Sequence, residues 1–149
     1  MTDTSLVQQV RLHVFGEAAA TGRVPQRGQI AAALRAPETA VQEALRELAS
    51  GKAIILAPHD GDIWAANPFC AVPSPFRVAA RGTRYAAICI WDALGIPAAL
   101  GADATIHAAC GDCGAPMTLE VVGDRLASAE GVVHFAVPAL RWWDNIGFT

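Results

Sequence analysis

Cys89 and Asp92 stand three residues apart in Arg84-Tyr85-Ala86-Ala87-Ile88-Cys89-Ile90-Trp91-Asp92-Ala93-Leu94-Gly95. On a helix that spacing puts both side chains on one face, about one turn from each other. A thiolate is a nucleophile and a soft-metal ligand, and a carboxyl group can carry a proton. The apolar neighbours Ile88, Ile90, Trp91, Ala93 and Leu94 make the acid conspicuous, because burying an unpaired carboxylate is costly. The spacing alone also fits a plainer arrangement. Cys89 would then be a small apolar core residue, with Asp92 paired to Arg84 or capping a loop.

A second constellation is His107-Ala108-Ala109-Cys110-Gly111-Asp112-Cys113-Gly114. Cys-x-x-Cys-Gly is the shape of a zinc knuckle, and His107 adds a third possible ligand. A closed structural site needs a fourth, and only His134 or Cys70 is available, since there is no second Cys-x-x-Cys. The alternative is a strand-to-strand turn carrying two thiols, a role that Asp112 and Gly114 suit. His134, between Val133 and Phe135, reads as a half-buried strand residue. Trp142 and Trp143 read as a plug for the open face of a sheet. The chain has no glycine-rich phosphate loop and no Ser/His/Asp order.

The elements that must position these groups follow from periodicity and punctuation. Leu6, Val10, His13 and Val14 recur at helical spacing, with Ser5 or Thr4 as cap and Gly22 after the end. A second helix is predicted over Gln26–Leu34 and a third over Glu38–Ala49, with Gly51 as its stop. Two extended runs, Ala53–Leu56 and Asp62–Ala65, flank an Asp60-Gly61 turn. Asn67 to Pro75 holds three prolines and reads as an extended linker. A hairpin over Phe76–Ala80 and Thr83–Tyr85 precedes a short helix at Cys89–Ala93, which Gly95 and Pro97 end or kink. Three β-branched or alternating runs come next: Ala104–Ala109, Met117–Val122 and Val132–Val137. The predicted class is α+β. A three-helix, winged-helix-like lobe (1–66) and a Pro-rich linker (67–75) precede a lobe of antiparallel strands with a short active-site helix (76–149).

Composition narrows the function classes. With 149 residues, 53% of them apolar, the chain should bury roughly 70% of its unfolded surface without stapling. Net charge is −3, so bulk charge offers nothing to nucleic acid or a membrane surface. The third helix carries Glu38, Glu43 and Glu47 against Arg46, an unfavourable surface for phosphates. No apolar run approaches the ~20 residues that span a bilayer. Residues Met1–Leu6 lack the features of a secretory leader, so a cytoplasmic location is expected. Four cysteines in such a compartment are thiols or metal ligands before they are disulfides. Nothing in the sequence specifies an oligomeric state.

Asn67-Pro68-Phe69, Ala71-Val72-Pro73, Arg84-Tyr85, Cys89-x-x-Asp92-Ala93-Leu94-x-Ile96-Pro97-Ala98 and Cys110 together resemble the organomercurial (alkylmercury) lyase family. The order of lobes resembles it too. The resemblance implies that Cys89 and Asp92 are catalytic and that Cys110 is mainly structural. It implies a small organomercurial substrate, external thiols and no required cofactor. Cys89 would take the mercury, with Cys70, Cys110, Cys113 and His107 as further candidate ligands. Members of that family use a second catalytic cysteine near the end of the sheet region, whereas no cysteine follows Cys113 here. Cys70, Cys110 and Cys113 are the available substitutes. Two other functions stay open at this point: soft-metal capture without cleavage, and a ligand-sensing winged-helix regulator.

Overall fold

A computed structural model describes residues 5–128 and 131–147; Thr4, the alternative first cap, and Thr149 lie outside them. The chain opens with α1 (Leu6–Thr21), whose first turn is closed by Ser5 accepting from the Gln8 amide at 3.3 Å. Gly22 ends the helix with φ +73° and donates its amide to Ala18, the left-handed C-terminal turn that glycine adopts without strain. α2 (Arg27–Leu34) begins at a capping box between Gln26 and Gln29. α3 (Glu38–Ser50) buries Val41, Ala44, Leu45 and Leu48 along one face.

A small antiparallel sheet follows, ordered β1 (Ile55–Leu56), β2 (Ile63–Ala66) and β3 (Phe69–Cys70). The Gln26 side chain donates to the Ile63 carbonyl at 3.1 Å and accepts from the Ile63 amide at 3.0 Å, tying α2 to β2. β3 corrects the linker reading. Inside the proline-rich segment, Phe69 pairs with Ala66 and Cys70 with Ala65. A short strand buried by a neighbour needs only two residues free of proline, and Phe69-Cys70 supplies them.

β4 (Phe76–Ala80) and β5 (Thr83–Ala87) form the expected hairpin. α4 (Ile90–Leu100) then runs unbroken through Gly95 and Pro97, where propensity predicted a stop. Burial overrides propensity at this point. Ile96 and Pro97 are fully buried, and the bare Gly95 lets Pro68 pack against the helix. β6 (Ala104–Ala109), β7 (Pro116–Val122) and β8 (Arg125–Ser128) complete a five-stranded antiparallel sheet of order β5-β4-β6-β7-β8.

β8 replaces the strand expected at Val132–Val137. Gly123 and Asp124 have φ of +56° and +59°, as a two-residue hairpin turn requires. The chain therefore reverses at once, and pairing falls to Arg125–Ser128. Residues 131–138 form no strand, and Val132 is exposed. A 3-10 turn at Ala139–Asp144 follows.

One continuous core runs from Val10, Val14 and Leu45 through Ile54 to Val78, Ile96 and Ile106. Tyr85 of β5 is buried and donates its hydroxyl to Ala19 of α1 at 2.9 Å. At the same seam, a Cβ on Gly22 would collide with the Arg84 carbonyl oxygen. Gly22→Ala should therefore cost about 2–4 kcal/mol, combining left-handed backbone strain with a backbone clash. Urea unfolding would check it; a loss under about 0.5 kcal/mol would mean that α1 and β5 separate freely.

Candidate active site

The chain leaves β5 at Ala87 and must turn into α4. Cys89 makes that turn. Its backbone is extended (φ −141°, ψ 178°) and its carbonyl accepts the first helical bond from Ala93 at 3.0 Å. Cys89 is thus the N-cap of α4 and not a residue within the helix, which corrects the expected one-turn stacking. The strand exit is the physical reason, because a residue leaving a sheet cannot already have helical dihedrals.

The correction brings the pair together more directly. Asp92 lies in the first turn at the third helical position, the place from which a side chain reaches back to the cap. The Cys89 thiol and the Asp92 carboxyl are close enough for each to shift the acidity of the other. Burial pushes Asp92 up to about 6, and the interaction with Cys89 partly offsets the rise. Burial also pushes the Cys89 thiol up, against the pull of the nearby Asp92 and Trp91 amides; the negative charge of Asp92 pushes the same way as burial. The consistent picture is a protonated thiol beside a carboxyl of weakened acidity. Among the described residues, Asp92 forms no ion pair with Arg84 or any other arginine.

Cys70 on β3 is buried, with its sulfur 3.9 Å from the Trp64 carbonyl. Burial raises its thiol most, and the negative charge of Asp92 raises it further. The charge of Asp92 therefore acts on two thiols, Cys89 and Cys70. Sequence spacing could not show this, since the pair depends on β3, which lies in the segment that reads as linker. A groove of about 930 Å³, lined by His13, Glu17, Arg23, Gln26 and Val72, reaches Cys70 but not Cys89 or Asp92.

Aromatic residues cover the other side. Trp91, beside Cys89 in sequence and largely exposed, meets Phe135 edge-on at 6.2 Å, and Phe135 leans on Trp142 at 4.7 Å. Trp142 donates to the Val137 carbonyl at 3.0 Å, and Lys52 sits 5.5 Å over Trp143. Gly147 reaches the ring of Trp64. Residues 131–147 thus form a strap from the start of α4 to β2, and Trp142 and Trp143 belong to it, where a sheet plug was expected. His134 is exposed on this strap.

The remaining candidates are elsewhere. Cys110 and Cys113 occupy the turn between β6 and β7, Cys110 partly exposed and Cys113 exposed. Bonds from the Cys113 and Asp112 amides hold the Cys110 thiol below its usual range. His107 is exposed on β6, with Nδ1 3.4 Å from the Thr118 hydroxyl. Among the described residues, no three His, Cys, Asp or Glu side chains come together as a metal cluster. The described thiols are all free.

No curated protein matches the chain. Among solved structures, the crystal structure of the mercury-bound form of MerB2 shares this fold, with a TM-score of 0.62 and 24% sequence identity. The likeness covers 82% of this chain and 58% of that one, so this chain spans less than two thirds of its structural relative. Residues 69–149 match the family described as MerB, alkylmercury lyase. That stretch runs from β3 onward and contains Cys70, Cys89, Asp92, Cys110 and Cys113. The chain belongs to the alkylmercury lyase family.

Proposed function

We propose that the protein cleaves carbon–mercury bonds by protonolysis, giving a hydrocarbon and Hg(II) held by thiolates. The observation that carries this reading is the placement of Cys89 as the N-cap of α4 with Asp92 in its first turn, where burial weakens the acidity of both groups. Family membership supports it. An organomercurial arrives as R–Hg–SR′, the adduct of an external thiol. The Cys89 sulfur displaces R′S⁻ from mercury while its proton passes to Asp92. Asp92 is well suited to that exchange, because a carboxyl pushed up to about 6 is ionised at neutral pH yet holds a proton readily.

Asp92 then gives the proton to carbon. The carbon–mercury bond breaks, its electron pair forms the C–H bond, and Asp92 returns to its carboxylate form. A second sulfur donor pushes electron density toward carbon and eases this step, since mercury is soft and favours thiolates. Cys70 fills that role in this reading, because the charge of Asp92 reaches it as well as Cys89. The helical lobe, winged-helix-like in its order of three helices and a hairpin, serves as scaffold and not as a DNA reader. Cys110, Cys113 and His107 take no part in cleavage.

The test is benzene release from phenylmercury in excess monothiol, followed by gas chromatography. Catalytic release by the folded protein is the expected outcome. Mercury retained without benzene would reduce the protein to a metal-capturing relative, and neither retention nor release would refute both.

A further inference from the structure

The turn between β6 and β7 is built more tightly than a connection requires. Ala109 and Pro116 are the last paired residues. Beyond them Cys110 donates its amide to Ala115 at 2.8 Å, and Gly114 donates to Cys110 at 2.9 Å. Gly114 has φ +72°, a left-handed geometry that turns the chain back on itself. The closure holds Cys110 and Cys113 three residues apart on one tight turn, where Cys113 and Asp112 draw the Cys110 thiol below its usual range. Both thiols are free, and Gly111 to Ala115 are exposed.

We propose that Cys110 and Cys113 form a second, surface site that binds a two-coordinate thiophilic metal ion such as Hg(II), separate from Cys89 and Asp92. Two metal–sulfur bonds of about 2.3 Å place the sulfurs under about 5 Å apart when the ion is linear. Two cysteines three residues apart on one closed turn reach that separation by rotation about their Cα–Cβ bonds. The reaction is 2 R–SH + Hg²⁺ → Hg(SR)₂ + 2 H⁺, in which two S–H bonds are exchanged for two S–Hg bonds and nothing is oxidised. Low coordination number selects the ion. His107 is directed to Thr118, and no third ligand joins the pair among the described residues, which disfavours tetrahedral zinc. Softness selects it again, since thiolates prefer ions of this class. Joining two thiols on one turn should tighten binding by about 10²–10⁴ over a single thiol, because the second bond forms within the molecule.

The assignment does not depend on carbon–mercury cleavage, and its test reads metal and not hydrocarbon. The Cys70→Ser/Cys89→Ser chain is titrated with Hg(II) against excess monothiol, with bound metal counted by native mass spectrometry. One equivalent should remain, and adding Cys113→Ser should weaken it about 10²–10⁴-fold. A chain that keeps none, or keeps the equivalent unchanged without Cys113, overturns the proposal. Should the double variant fail to fold, Cys110→Ser/Cys113→Ser in the otherwise unaltered chain decides. It must bind one equivalent fewer than the parent, and equal uptake overturns the proposal.

Discussion

Asp92→Asn is expected to abolish benzene release while making the protein more stable at alkaline pH. The loss should be about 10²–10⁴-fold, the range that a positioned proton carrier contributes. The gain in stability follows from burial. The folded chain holds the Asp92 carboxyl at about 6, against 3.8 for the free group, so ionising it opposes folding. Above pH 6 that opposition is fully present; it fades as pH falls and is gone below about 4, where folded and unfolded chains are both protonated. Asparagine carries no charge at any pH and removes the cost. With allowance for solvent at a half-buried site, the variant should gain about 1–2 kcal/mol at pH 8 and nothing near pH 3.5. Parallel urea titrations at the two pH values measure it. A variant less stable at pH 8 would show that the interaction of Asp92 with Cys89 outweighs the burial of charge.

Cys89→Ser is the second large effect. Serine keeps the size and the N-cap role of the residue, and is a better cap than cysteine, so the fold should persist with melting unchanged or raised. Mercury, however, binds a neutral hydroxyl poorly. Benzene release should fall by 10³-fold or more, an estimate on the scale of losing a residue that acts as one unit with its partner. Cys70→Ser should lose less, because Cys89 still captures the organomercurial and only the added push toward carbon is missing. Equal losses in the two variants would mean that both sulfurs enter before the bond breaks. An unchanged rate in Cys70→Ser would assign the second sulfur to the external thiol. Single-turnover benzene release, measured at several thiol concentrations, separates these outcomes.

Much of the fold is legible in the sequence because its signals are local. Ser5 and Gly22 mark the ends of α1, Gly51 marks the end of α3, and Asp60-Gly61 and Arg81-Gly82 mark two reversals. The departures arise where a distant contact decides. Pro97 ought to interrupt α4, but it is buried in the shared core. Phe69-Cys70 ought to stay in a linker, but the edge of β2 is open to it. The Val132–Val137 run has strand composition, yet the positive φ of Gly123 and Asp124 gives the pairing to the residues immediately after the turn. That Gly-Asp dipeptide was a readable hairpin signal.

The site divides the same way. Cys89 and Asp92 are recognisable from residue type and spacing, whereas their meeting as cap and third helical residue depends on where β5 ends. Cys70 had no local signal, since only the turn at Asn67-Pro68 returns it beside β2.

The hydroxyl of Tyr85 on Ala19, and the bare α-carbon of Gly22 beneath Arg84, join α1 to β5 at a shared interior. Occupancy at one end should then be felt at the other. Any ligand held by the native chain and not by the unfolded one raises the free energy of opening for every element that unfolds in the same step. Amide exchange in α1 and α3, which carry no cysteine, should slow when mercury saturates Cys89. Helices that take no part in the chemistry would thereby report whether it has begun.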